Sequence, residues 1–191
     1  MKKILFALTM MASALTLAAE PLGMVIDVQG SATVNDGGKT KPLDMLSYLN
    51  AQNEIQLSPG AAMTVTWYAG SKELKFAGPA RLKVEPAGIK VIQGGAAQER
   101  AVADEKVAAT RKLPPRLSQA AVAMRGGVKP MTPEQEAQRE KLRPADNAPF
   151  GDWVVYAMGL EQMGLTSEAK GVWKKLSAQR PNDPKLRRLA E

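Results

Sequence analysis

The strongest constraint on the fold is a change of hydrophobic period along the chain. Between residues 23 and 95, apolar side chains alternate with period two, as in Met24-Ile26-Val28, Ala32-Val34, Met63-Val65-Trp67, Leu74-Phe76 and Ala80-Leu82-Val84. Alternation with β-branched residues is the pattern of strands with one buried face. The interruptions carry turn chemistry: Asn35-Asp36-Gly37-Gly38, Ser58-Pro59-Gly60, Ala69-Gly70-Ser71, Gly78-Pro79 and Pro86-Ala87-Gly88. Gly and Asn there supply the positive φ of tight reversals. About seven or eight short strands at this spacing predict an antiparallel sandwich, barrel or roll. After residue 150 the spacing turns helical. Trp153, Tyr156, Ala157 and Leu160 form one stripe, Gly164 interrupts, and Ala169, Trp173 and Leu176 form a second that ends at Pro181.

The N-terminus reads as a targeting segment. Lys2 and Lys3 precede an uncharged apolar stretch from Ile4 to Leu17, and the small residues Ala18 and Ala19 follow. This is the pattern of a secretory signal peptide over residues 1–19, with an uncleaved anchor as its alternative. The expected destination is the bacterial periplasm or the exterior. The 191 residues include no cysteine, so burial without disulfides must hold the fold there.

Composition excludes much chemistry. With neither His nor Cys in the chain, a Ser-His-Asp triad, a thiol nucleophile and a zinc site of nitrogen and sulfur ligands are all out of reach. Ser167-Glu168-Ala169-Lys170 fits a Ser-x-x-Lys pattern, but the companion elements of penicillin-recognising enzymes are missing. The four residues are expected to open a helix, with Thr166 or Ser167 as its cap. Asn35-Asp36-Gly37-Gly38 is too short for a calcium loop, and no phosphate-cradling glycine motif precedes a helix. No catalysis, metal or cofactor is expected. The formal charge of +7, from 26 Lys and Arg against 19 Asp and Glu, is scattered. Residues 20–95 are neutral, 96–149 carry +3 and 150–191 carry +2. That distribution argues against a nucleic-acid reader, which gathers its bases on one face.

Residues 96–149 are rich in Ala, Arg, Gln, Glu and Pro and are expected to be a flexible linker with helical pieces. One helix is expected over residues 98–112. Another is expected from Thr132, the N-cap, through Pro133 at the first helical position and Gln135 in a capping box, to Arg143. Lys112-Leu113-Pro114-Pro115-Arg116 reads as a stiff spacer or a polyproline docking segment.

Two resemblances add to this reading. Gly23-Met24-Val25-Ile26-Asp27-Val28-Gln29-Gly30, Glu54-Ile55-Gln56-Leu57-Ser58-Pro59-Gly60, Trp67-Tyr68-Ala69-Gly70, Gly78-Pro79-Ala80-Arg81-Leu82-Lys83-Val84 and Val91-Ile92-Gln93-Gly94-Gly95 together resemble a FecR-type domain over roughly residues 23–95. Ala69-Gly70-Ser71 stands where that family usually carries Asp-Gly-Ser. The resemblance implies a non-enzymatic periplasmic β module, without the membrane span and cytoplasmic part of its signal-relaying members. Trp153, Tyr156, Ala157, Leu160, Ala169, Trp173, Leu176 and Pro181 resemble the packing positions of one tetratricopeptide repeat over roughly residues 150–183, and Lys185 to Leu189 resemble its capping helix. A single repeat cannot bury its outer face. Its cover must come from the β part, from the helix expected over residues 98–112, or from another protein.

The fold class expected is therefore α+β: an N-terminal antiparallel all-β FecR-like domain over residues 20–95, a Pro-rich linker over 96–149, and a C-terminal helical hairpin of tetratricopeptide type over 150–191. The expected function is that of an exported adaptor or regulator that binds an envelope protein. The alternative is a protein that binds peptidoglycan or another envelope polymer, with a merely structural hairpin. Asn147, Glu161 and Gln162, taken as exposed positions of the first repeat helix, are the candidate partner-binding residues. Trp67 and Tyr68 are the aromatics available to a glycan, although alternation should bury one of them.

Overall fold

The computed structural model describes residues 20–113 and 131–191. Residues 1–19, read from sequence as a signal peptide, and Pro114-Pro115-Arg116 of the expected spacer lie outside the described residues. Ten strands run in chain order: β1 (Gly23–Gln29), β2 (Ala32–Asp36), β3 (Lys39–Pro42), β4 (Tyr48–Leu49), β5 (Glu54–Leu57), β6 (Ala62–Trp67), β7 (Lys72–Ala77), β8 (Ala80–Glu85), β9 (Gly88–Gln93) and β10 (Gln98–Ala101). Five helices follow: α1 (Asp104–Arg111), α2 (Pro133–Leu142), α3 (Phe150–Gln162), α4 (Thr166–Gln179) and α5 (Pro184–Ala190). The fold is α+β. One antiparallel sheet has the order β10-β7-β6-β1-β4 and the other β3-β2-β5-β8-β9.

The two sheets close on a core that includes Val25, Val65, Trp67, Phe76, Ile55 and Leu82. The helices form a third layer on the opposite face of the first sheet. There Met24, Ile26 and Tyr68 share a second core with Val107, Leu142, Met158 and Trp173. Strand β1 is thus covered on both faces, whereas period two predicts one. A bulge between Val25 and Asp27, opposite Val65 and Thr64 of β6, changes the parity of the strand. Val25 and Val28 both contribute to the inter-sheet core, and Ile26 faces the helices. Ile26, which has no partner on β6, is the extra residue of the bulge, so that Asp27, opposite Thr64, comes out beside it on the helical side and meets Arg180 there.

Helix α3 is the pivot of the third layer, with ten buried residues from Gly151 to Glu161. It packs against β1, α1, α2 and α4. The cover that an isolated hairpin lacks therefore comes from within the chain. Two glycines of α3 allow the close approaches: a Cβ at Gly151 would lie 2.7 Å from Ile26 Cδ1, and one at Gly159 would lie 2.5 Å from Leu142 Cδ1. Asp152, in the first turn, is buried and receives Arg100 at 2.8 Å and Lys106 at 3.1 Å, while Arg100 also holds Glu73 at 2.7 Å. These pairs tie α3 to β10, β7 and α1. The Asp152 and Glu73 carboxylates hold the Arg100 guanidinium firmly protonated.

Three local expectations differ from the structure. Residues 98–101 are strand β10 and not helix, because pairing with β7 offers a ladder and the cross-strand ion pair Lys72–Glu99 at 2.9 Å. Neither Thr166 nor Ser167 caps α4, whose N-cap is Leu165 without a side-chain bond. The first sheet extends past residue 95 into the stretch read as a linker. The cap of α2 forms as expected: Thr132 Oγ1 accepts from the Gln135 amide and Gln135 Oε1 accepts from the Thr132 amide. Among the described residues, no helix is long and apolar enough to cross a membrane.

The two kinds of helical glycine should respond oppositely to alanine. Gly151→Ala forces Ile26 to shift inside a filled core and should destabilise by about 1–3 kcal/mol. Gly171→Ala, at an exposed α4 position with nothing within 4 Å of the added Cβ, should stabilise by about 0.5–1 kcal/mol. Thermal melts followed by circular dichroism would show the two midpoints moving in opposite directions.

Candidate functional site

Two recesses lie on the described surface. The larger, about 850 Å³, opens where the β layer meets the α4–α5 turn. One wall is the turn Gln29, Gly30 and Ser31 with the loop from Pro42 to Met45, and the other is Gln179 to Lys185 with Arg188. The smaller, about 530 Å³, is a trough on the outer face of β2, β5 and β8 lined by Thr33, Asn35, Gln56, Arg81 and Gln93 among others. No aromatic ring lines it.

The larger cleft is organised by charge. Arg180, just past the end of α4, donates to Asp27 Oδ1 at 2.5 Å and to the Val28 carbonyl at 3.3 Å. Its guanidinium carbon lies 3.6 Å from the centre of the Phe150 ring, a stacked cation–π contact. Asp183 caps α5 by accepting from the Lys185 and Leu186 amides at 2.9 and 3.1 Å. Lys185 Nζ donates to the Met45 carbonyl across the cleft. Burial pushes the Lys185 ammonium below its ordinary pKa, and the nearby Asp44 carboxylate offsets this in part. Arg188 stands exposed on the cleft wall. The cleft thus presents the cations Lys185 and Arg188, the carboxylates of Asp44 and Asp183, and amide side chains. Among the described residues, no three His, Cys, Asp or Glu side chains are grouped to hold a metal.

The residues singled out from sequence lie elsewhere. Trp67 and Tyr68 are both buried, at 3% and 7% exposure, because the two aromatics enter opposite cores and both faces of the sheet are covered. Glu161, expected on the surface, is 8% exposed. Asn147 is exposed in the turn before α3. Gln162 is exposed overall, yet its Nε2 donates to the Ala109 and Lys112 carbonyls at 2.7 and 2.8 Å. Tyr68 Oη donates to Thr110 O at 2.8 Å, and Tyr48 Oη donates to Arg111 O at 3.1 Å. The last carbonyls of α1, which have no partner within the helix, are therefore satisfied by side chains from the β layer and from α3. Burial raises the Tyr68 hydroxyl well above its usual value and keeps it a donor. Tyr68 and Gln162 hold the layers together rather than facing a ligand. Arg180, Lys185 and Arg188 line the cleft; from sequence, Lys185 and Arg188 belong only to an expected capping helix, and Arg180 carries no motif.

Two measurements check these roles. Tyr68→Phe leaves the buried Thr110 carbonyl without its partner and should cost about 1–2 kcal/mol in urea unfolding. For Lys185, the unfolded chain retains a proton that the folded chain has released, over the window between the lowered folded value and the ordinary 10.5. Stability gained through this group therefore rises with pH across that window. The difference in unfolding free energy between the protein and a Lys185→Met variant should move in favour of the protein as pH approaches 10.5, and a flat difference would show that Lys185 is not desolvated.

No protein-family model, no curated protein and no solved structure matches this chain. The fold and the cleft are therefore described on their own geometry, and the FecR and tetratricopeptide likenesses rest on the motif residues alone.

Proposed function

We propose that the chain is an exported, non-enzymatic adaptor of the bacterial periplasm or exterior, in which a FecR-like β part and a single tetratricopeptide-like hairpin together capture another envelope protein. The observation that carries this reading is the cleft between the β layer and the α4–α5 turn. Its walls come from both parts of the chain, so a partner seated there reads both at once. Its chemistry favours binding: amide side chains of Gln29, Gln179 and Asn182 suit a peptide backbone, and Arg188 and Lys185 give electrostatic selection. The absence of His and Cys removes the usual nucleophile and base pairs, which also favours recognition over turnover.

A second reading, binding of peptidoglycan, draws on the polar trough of the outer sheet. Hydroxyl and amide side chains there suit sugar hydroxyls. The stacking platform expected of such a site is missing, since Trp67 and Tyr68 both lie in cores.

The two readings part in one experiment. Crosslinked pull-down from envelope extract, run beside co-sedimentation with purified sacculi, should recover one defined protein, with the sacculi leaving the protein in the supernatant. Retention by sacculi without a protein partner would replace the adaptor with the polymer binder.

A further inference from the structure

The charge of the chain is concentrated in a way that region totals conceal. Residues 169–191 hold seven Lys and Arg against Asp183 and Glu191, a net of +5, whereas residues 20–168 hold seventeen bases and seventeen acids. The whole excess of residues 20–191 therefore lies on the end of α4, on α5 and on the turn between them. Lys174, Lys175, Arg187 and Arg188 are exposed on these two helices, and none makes an ion pair with a described residue. Elsewhere the bases are balanced in number by acids: some are paired outright, as in Lys41–Asp36, Lys72–Glu99, Arg81–Glu54 and Lys141–Glu105, while exposed bases such as Lys75 and Lys90 are offset by exposed acids such as Glu134 and Glu136.

The larger cleft opens into this unmatched surface. Of its own acids, Asp183 is turned into its cap, and Asp44, exposed on the wall, faces Lys185 without an ion pair. Arg180 is committed to Asp27. Lys185 is bound to the Met45 carbonyl, which leaves Arg188 on the wall, with the unmatched bases of α4 and α5 beyond it, to meet an anion. We infer that the cleft is the docking groove for an acidic peptide segment of the captured protein, whose carboxylates are met by Arg188 and the unmatched bases beyond it while its backbone lies against Gln29, Ser31 and Asn182. This inference rests on the adaptor reading and names its ligand chemistry.

Three other occupants fit less well. An anionic membrane presents a flat surface that cannot enter a recess between two turns. The undescribed segments of the chain carry Lys2, Lys3, Arg116, Arg125 and Lys129 and no acid, so they supply no carboxylate. In a second copy, α2 presents the exposed Glu134 and Glu136, but with Glu140 against Arg139 and Lys141 the helix has a net charge of only −1. At about 850 Å³, the recess falls within the size range, roughly 300–1,000 Å³, that accepts compact ligands, here a few peptide residues.

The test is fluorescence anisotropy with the purified protein and a labelled glutamate-rich decapeptide, beside the same peptide with glutamine in place of glutamate. The glutamate peptide should bind at least about tenfold tighter, and the margin should shrink between about 0.15 M and 0.5 M salt as surface charges are screened. Arg188→Glu, at an exposed position that leaves the fold intact by circular dichroism, should weaken binding about tenfold or more, while Lys75→Glu on the distant sheet should change it by less than about twofold. Equal binding of the two peptides, or equal losses in the two variants, overturns the inference. So does binding to phosphatidylglycerol vesicles or to a second copy in sedimentation while the peptide stays free. Envelope capture that is indifferent to Arg188→Glu overturns it too, yet leaves the adaptor standing; loss of all capture by the unaltered protein removes both.

Discussion

The structure depends on one strand being covered twice. Met24 and Ile26 point from β1 into the helical layer and Val25 into the inter-sheet core, and all three are fully buried. Each large side chain taken from water contributes about 1.5–3 kcal/mol, so β1 contributes to two cores at once and neither layer is complete without it. The bulge after Val25 makes this compatible with an acid in the same strand. Were the bulge absent, regular alternation from Val25 would point Asp27 into the apolar inter-sheet core, where its carboxylate would have no partner. With it, the carboxylate arrives beside Arg180.

The ion pairs differ in consequence by their surroundings. Lys41–Asp36 and Arg81–Glu54 have half-exposed side chains, and exposed pairs of this sort contribute about 0–1 kcal/mol. Arg180–Asp27 and the Asp152 cluster are largely withdrawn from water on the acid side, where removal of one partner strands a buried charge. They join segments far apart in sequence, 153 residues in the case of Arg180 and Asp27. Their main effect is to fix the angle at which the helical layer sits on the sheet, and with it the shape of the cleft.

What was legible in the sequence was local. The capping box at Thr132 and Gln135 and the strands between Met63 and Val84 follow from spacing within a few residues of each other. Period two gave away one buried face of β1 and β6 but carried no information on what covers the other, so Tyr68 was read as available. Residues 98–101, Gln-Glu-Arg-Ala, have helical preferences and no alternation, and only the edge offered by β7 makes them a strand. The cleft was illegible for the same reason: its walls come from residues 28–45 and 179–188, and no motif spans that distance. The one clue in the sequence is the excess of bases after residue 169, which Asp152, Glu161 and Glu168 just before it mask.

The double cover of β1 also bears on the order in which the chain can reach its native state. Synthesis delivers the two sheets first, and the strands from β1 to β9 can pair as soon as residues 23–93 are free. At that stage Met24, Ile26 and Tyr68 form an apolar face with nothing upon it, because α3 and α4 are still to come. Such a half-built sandwich is sticky in the way that folding intermediates generally are. The last forty or so residues act as a lid whose late arrival ends that exposure, and a chain cut short before Phe150 would be left with the sticky face as its permanent surface.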